Sequence, residues 1–160
     1  MAALYLEYLA MPDFDMNSFM TAAYTEANST EMVPIDEGEY RAISGELEWS
    51  EVTSSKDPSK KWPKLRVPWT IESPEQSAKT GRAAIRINQD ILLDRTPEGM
   101  LDMGEGKNIA LGRLRNALGL NQKGVPFRFD QIPGRQALVK VKHRSYEGRI
   151  FEEIKDVAKA

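Results

Sequence analysis

From Gly38 onward, apolar residues recur at every second position, and a chain with that period has to bury one face of β-strands. In residues 40–49, Ile43, Gly45, Leu47 and Trp49 alternate with Ser44, Glu46 and Glu48. Leu65, Val67, Trp69 and Ile71 then share one face, with Lys64, Arg66, Pro68 and Thr70 on the other. A third strand over 82–88 turns Ala83, Ile85 and Ile87 inward and Arg82 and Arg86 outward. Near the end, Val139 and Val141 oppose Lys140, Lys142 and Arg144, and a turn at Glu147-Gly148 leads into Arg149, Ile150 and Phe151. Gly45 within the first strand marks a bulge or sharp bend, and Pro68, which has no N–H to give, marks an edge or bulge in the second.

The 3.6-residue period occurs once, over 108–118, where Leu111, Leu114 and Leu118 lie on one face that Ile109 and Ala110 can join. Asn108 is placed as its N-cap and Gly119 as its stop. The order strand, strand, strand, helix, strand, strand predicts an all-β chain with one helix. It is the order of an OB-fold-like five-stranded barrel with the helix between strands three and four. A small SH3-like barrel or a sandwich carries a similar set of elements.

The acids and bases divide the chain. Residues 1–40 hold eight acids and no Lys or Arg, and the remainder holds all 22 bases against 16 of the 24 acids, a net of +6. We therefore read 1–36 as an acidic N-terminal arm and 37–160 as a basic body, an asymmetry that points to polyanion binding. In the arm, an apolar cluster at Leu4, Tyr5, Leu6, Tyr8 and Leu9 ends at Pro12, and Phe14, Phe19 and Met20 are interspersed with Asp13 and Asp15. At 160 residues, this is one domain's length. No apolar run approaches the roughly 18 residues of a membrane span. The first eleven residues carry Glu7 and no base, which does not match a signal peptide.

Several chemistries are excluded. Cysteine is absent and His143 is the only histidine, so thiolate chemistry and multi-histidine metal centres have no residues to use. His143 falls on the inward face beside Val141, as a satisfied ring rather than a base. Asp90, Asp94, Glu98, Asp102 and Glu105 read as a solvated acidic loop and not as a nuclease centre. Gly104-Glu105-Gly106-Lys107-Asn108 lacks the spacer and hydroxyl of a nucleotide-hydrolysis loop, although a helix start with Gly and Lys can hold one phosphate. No enzyme activity, cofactor or metal is expected.

The outward bases carry the functional signal. Lys64, Arg66, Arg82, Arg86, Lys140, Lys142 and Arg144 all fall on the face opposite the core. Lys56, Lys60 and Lys61 extend the charge into the loop at 53–61, whose turn is Asp57-Pro58, and Arg149 extends it into the last hairpin. Trp62 and Tyr146 stand beside these bases as stacking platforms, the combination that binds single-stranded nucleic acid. Trp49 and Trp69 are assigned to the core, and Phe127 and Phe129 to loop anchors.

Two segments carry a resemblance. Gly99-Met100-Leu101-Asp102-Met103-Gly104-Glu105-Gly106-Lys107-Asn108, running into Leu111-Gly112-Arg113-Leu114-Arg115, is one. The other begins at Pro133-Gly134-Arg135, continues through Val139-Lys140-Val141-Lys142, and ends at Tyr146-Glu147-Gly148-Arg149. Across about residues 37–156 the chain resembles small phage single-stranded DNA-binding proteins with an OB-fold. The resemblance implies a non-catalytic protein of phage DNA replication or recombination, acting in the host cell cytoplasm. From the acidic arm itself come two alternative expectations, contact with replication or recombination proteins or self-association into a homo-oligomer, and the lack of a long apolar run leaves no membrane partner expected. One departure stands out: many such proteins end in an acidic tail, whereas this chain ends Lys155-Asp156-Val157-Ala158-Lys159-Ala160 and carries its acids at the start. The rival expectation is a virion structural or accessory protein that uses the β-domain for protein contacts. A small nuclease, or the inhibitor of one, is a weaker third.

Overall fold

The structure, a computed structural model, describes residues 13–160, so the apolar cluster at 4–9 lies outside the described residues. The chain falls into two compact units that divide between Glu31 and Met32. In the first, helix α1 (Met16–Thr21) is capped by Asp15, whose carboxylate accepts hydrogen bonds from the Asn17 N–H (3.1 Å) and the Ser18 hydroxyl (2.8 Å). Those bonds favour the charged form and lower the Asp15 pKa, the Ser18 bond most. Phe14, Phe19 and Tyr24 meet ring to ring and stay exposed.

The second unit is a six-stranded antiparallel sheet of β1 (Gly38–Ser44), β2 (Glu48–Thr53), β3 (Lys61–Ile71), β4 (Ile85–Leu92), β5 (Gln136–Tyr146) and β6 (Arg149–Ala158). Helix α2 (Pro74–Thr80) joins β3 to β4, and α3 (Ile109–Ala117) with a short 3₁₀ turn at Phe129–Gln131 joins β4 to β5. The all-β expectation therefore holds, with three α-helices in place of one and six strands in place of five among the described residues. The sequence announces α2 at Ser73-Pro74-Glu75-Gln76, where Ser73 caps the Gln76 N–H and Gly81, at φ 73°, ends the helix.

β3 organises the sheet. Along one edge it pairs with β4 from Lys64↔Leu92 to Ile71↔Ile85. Along the other, its first half pairs with β2 and its last residues with β1. The pairs Ser44↔Trp69 and Glu48↔Arg66 leave three residues on one strand against two on the other, so β1 and β2 are one strand broken by a bulge. Gly45 donates to the Pro68 carbonyl (2.8 Å), and a proline with no N–H sits opposite the break, as the sequence suggested. β1 continues to β5 and β5 to β6. β4 and β6 approach each other at the far ends of this order, but no ladder joins them among the described residues, and the sheet is not closed.

The core is the inward face of β3, β4 and β5 with Ala42, Ile35, Leu111, Leu114 and Ile132 packed upon it. Trp69 is fully buried and its indole N–H donates to Gln89 (2.9 Å). The bulge corrects the expected face of the first strand: Ala42 and Ser44 point inward and Ile43 does not. Ser44 is tolerated there because its hydroxyl donates to the Ile132 carbonyl (2.6 Å) and accepts from the Arg135 N–H (3.0 Å). Past the bulge, Leu47 returns to the core side, but Trp49, expected to be buried, is 52% exposed on β2, an edge strand that pairs with β3 alone.

Two smaller corrections follow the same logic. Ala83 is exposed because it precedes β4, and Ile109 is exposed at the first turn of α3. Asn108 adopts a left-handed conformation at φ 52° and its side chain does not cap α3. The body also begins earlier than residue 37. Ile35 is buried, its N–H donates to Glu152 (2.7 Å) and its carbonyl lies 2.7 Å from His143 Nε2.

Candidate nucleic-acid interface

The β2–β3 loop is closed by its own sequence. Asp57 accepts from the Ser59 N–H (3.1 Å) and hydroxyl (2.6 Å), which lowers its pKa, while Lys60 donates to the Asp57 carbonyl and Ser54 to the Lys60 carbonyl. This turn, expected at Asp57-Pro58, sets Lys60 and Lys61 next to Trp62 at the start of β3. Two clefts meet at the half-buried Trp62. One, of about 490 Å³, is lined by Glu51, Ser59, Lys60, Lys61, Trp62 and Arg95. The other, of about 440 Å³, runs from Lys61, Trp62 and Arg95 past Asp94, Thr96, Pro97, Gly99 and Asp102 to Lys107.

The second wall is the β4–α3 connection. Arg95 donates to the Lys61 carbonyl (3.1 Å), tying the wall to the loop. Asn108 clips the connection shut: Oδ1 accepts from the Asp94 N–H (2.8 Å), and Nδ2 donates to the carbonyls of Asp94 (3.0 Å) and Asp102 (2.9 Å). Lys60, Lys61, Arg95 and Lys107 form no ion pair among the described residues, so their charge is available to an anion. Arg95 and Lys107 were not among the expected site residues. The glycine-rich stretch 104–108, which contains Lys107, was the one sequence signal that pointed there. Lys56 lies on the exposed loop and does not line either cleft.

The strand face differs from the row of unopposed bases that alternation suggested. β4 runs on to Leu92, which places Asp90 opposite Arg66 on a strand instead of in a loop. Arg66 grips Asp90 through two hydrogen bonds (2.7 and 3.0 Å), Lys64 lies 3.8 Å from it, and Glu48 pairs with Arg66 (4.0 Å) and Arg86 (3.4 Å). The Arg66 hydrogen bond holds the Asp90 carboxyl below the ordinary carboxylate range.

Arg82 is not on this face at all. It precedes β4, so strand alternation does not govern it, and its guanidinium turns to Glu152 (2.9 and 3.1 Å) and the Met32 sulfur, with its side chain 19% exposed.

The β5–β6 bases form a separate strip. Lys140 stands opposite Glu39 and Asp156, and Lys142 opposite Glu153. Arg144 pairs with Glu153 (3.5 Å) and lies over the Phe151 ring at 5.3 Å. Tyr146, 58% exposed, faces Arg149 across the hairpin. Glu39 and Glu48 mark the two strips along the β1–β2 strand and are nine residues apart, up to about 30 Å at strand rise. The bases expected on one face are thus split between the two ends of the sheet.

His143 is half-buried and satisfied, as expected, with its ring at the Ile35 carbonyl and its backbone N–H donating to Glu37 (2.8 Å). Phe127 and Phe129 are anchors packed on the core, with Trp49 edge-on to Phe129 and Arg115 over Phe127 at 4.2 Å. Among the described residues, no cluster of three or more His, Cys, Asp or Glu is placed to hold a metal, and no helix is long and apolar enough to cross a membrane. No protein-family model matches the chain, and no curated protein matches it in sequence.

Proposed function

We propose that this protein binds single-stranded DNA without catalysis, through the paired clefts at Trp62. The observation that carries the proposal is the convergence of Lys60, Lys61, Arg95 and Lys107, none of them ion-paired among the described residues, on the two clefts that share the Trp62 indole. Cations gathered along such clefts neutralise backbone phosphates, and an unstacked base lies on the Trp62 ring. A duplex keeps its bases stacked on each other, so the indole favours single strands.

The finer fold we propose is an OB-like barrel. Joining β1 and β2 across the bulge leaves five strands in the order β4-β3-(β1/β2)-β5-β6, with α3 between the third and fourth in sequence and β4 facing β6 at the seam. In such a barrel the first hairpin loop and the second and third strands flank the ligand, which is where Trp62 and Lys61 lie. A role in phage DNA replication or recombination, inside the host cell, is what the resemblance of 99–115 and 133–149 implies.

Two observations favour a second function, that of a virion structural or accessory protein. Glu48 and Asp90 neutralise the strand face, and Trp49, Tyr146, Ile150 and Phe151 expose apolar surface suited to protein contacts. Tryptophan-fluorescence titration with single-stranded oligonucleotides at two salt concentrations separates the two. Quenching that weakens steeply with salt supports DNA binding, and no binding at low salt overturns it.

A further inference from the structure

The cleft between Trp62 and Lys107 holds two carboxylates among its cations, Asp94 and Asp102. A surface that did nothing but track phosphates would lose affinity by keeping acids there. Both are held in fixed positions. Asp94 Oδ2 accepts from the Asn108 N–H (3.2 Å) and Asp102 Oδ1 from the Gly104 N–H (2.9 Å). The other oxygen of each has no hydrogen-bond or ion-pair partner among the described residues, although Lys61, Arg95 and Lys107 line the same cleft. The Asn108 clip fixes the backbone that carries them. Two fixed carboxylates, each with one oxygen unpartnered among the described residues, therefore line the same cleft as an indole on which a base can stack.

An ionised carboxylate only accepts hydrogen bonds. Cytosine offers it the N4 amine, whereas thymine places the O4 carbonyl at the same position. Thymine's N3–H is flanked by two carbonyl oxygens that a carboxylate repels. We infer that Asp94 and Asp102 read base identity in this cleft and make it prefer cytosine to thymine in single strands. The inference rests on the single-stranded DNA reading above and adds a specificity to it.

The test titrates the whole protein with oligo(dC) and oligo(dT) of about 12 nucleotides, within the site sizes of one such fold, at one fixed low salt concentration. Oligo(dC) should bind more tightly by about fivefold or more, the lower end of one base-edge pair. In Asp94→Asn, Asp102→Asn and the double variant, an amide serves O4 as well as N4. Binding to oligo(dT) should then strengthen and the preference fall to within about twofold. Asp102→Asn decides the matter alone should the double variant fail to fold. Equal binding of the two homopolymers by the unaltered protein, tighter binding of oligo(dT), or a preference that survives the substitutions overturns the base-reading role and leaves DNA binding standing. Binding of neither homopolymer overturns the proposed function, and the preference with it.

Discussion

The division between free cations in the cleft and paired cations on the strand face can be tested by charge removal. Each phosphate neutralised on a single strand contributes a slope of about −0.7 to log affinity against log salt. Lys60, Lys61, Arg95 and Lys107 together give about −2.8, a loss of about 50-fold in affinity between roughly 50 and 200 mM salt. Substituting Lys61→Gln with Arg95→Gln should reduce the slope to about −1.4 and the loss over the same range to about sevenfold. Arg66→Gln with Arg86→Gln removes just as much charge but should leave the slope near its original value. Those guanidiniums already sit on Asp90 and Glu48, and exchanging a carboxylate for a phosphate releases no net counterion. The pairs are partly exposed, so losing each costs at most about 1 kcal/mol of stability. The assay is fluorescence titration at four or more salt concentrations, with thermal melting of each variant as a control. A slope flattened by the strand-face pair and untouched by the cleft pair would refute the assignment.

Other outcomes follow from single side chains. Trp62→Ala should weaken oligonucleotide binding by about 1–3 kcal/mol with little change in melting temperature, whereas Trp69→Ala should destabilise the fold by about 3–5 kcal/mol in urea titration. Glu152→Ala should cost about 3–5 kcal/mol, because a carboxylate whose side chain is 4% exposed leaves Arg82 and the Ile35 N–H without their partner; a loss below about 1 kcal/mol by denaturant unfolding contradicts this. Acid should act through Asp90: its folded pKa is depressed by Arg66, so its contribution is present above the unfolded carboxylate pKa and is lost as pH falls through the folded value. Stability measured from neutral pH down should therefore fall less steeply in Asp90→Asn than in the unaltered protein.

The sequence by itself determined the strand faces of β3, the first half of β4, and β5, because alternation depends only on neighbours along the chain. It also located the break at Gly45, the Asp57-Pro58 turn and the buried stripe of α3, each of which is a local conformational preference. What followed from the break was decided elsewhere. Only the pairing of β1 and β2 with β3 shows that one extra residue turns Ser44 inward and Ile43 out. Only the length of β4, drawn out by its ladder to β3, sets Asp90 against Arg66 and neutralises a face that looked basic. Arg82 found Glu152, seventy residues away, and Arg95 and Lys107 reached Trp62 through a connection shaped by Asn108. A charge is legible in sequence, but its partner is not, because strand pairing and loop closure bring together residues whose separation along the chain carries no local signal.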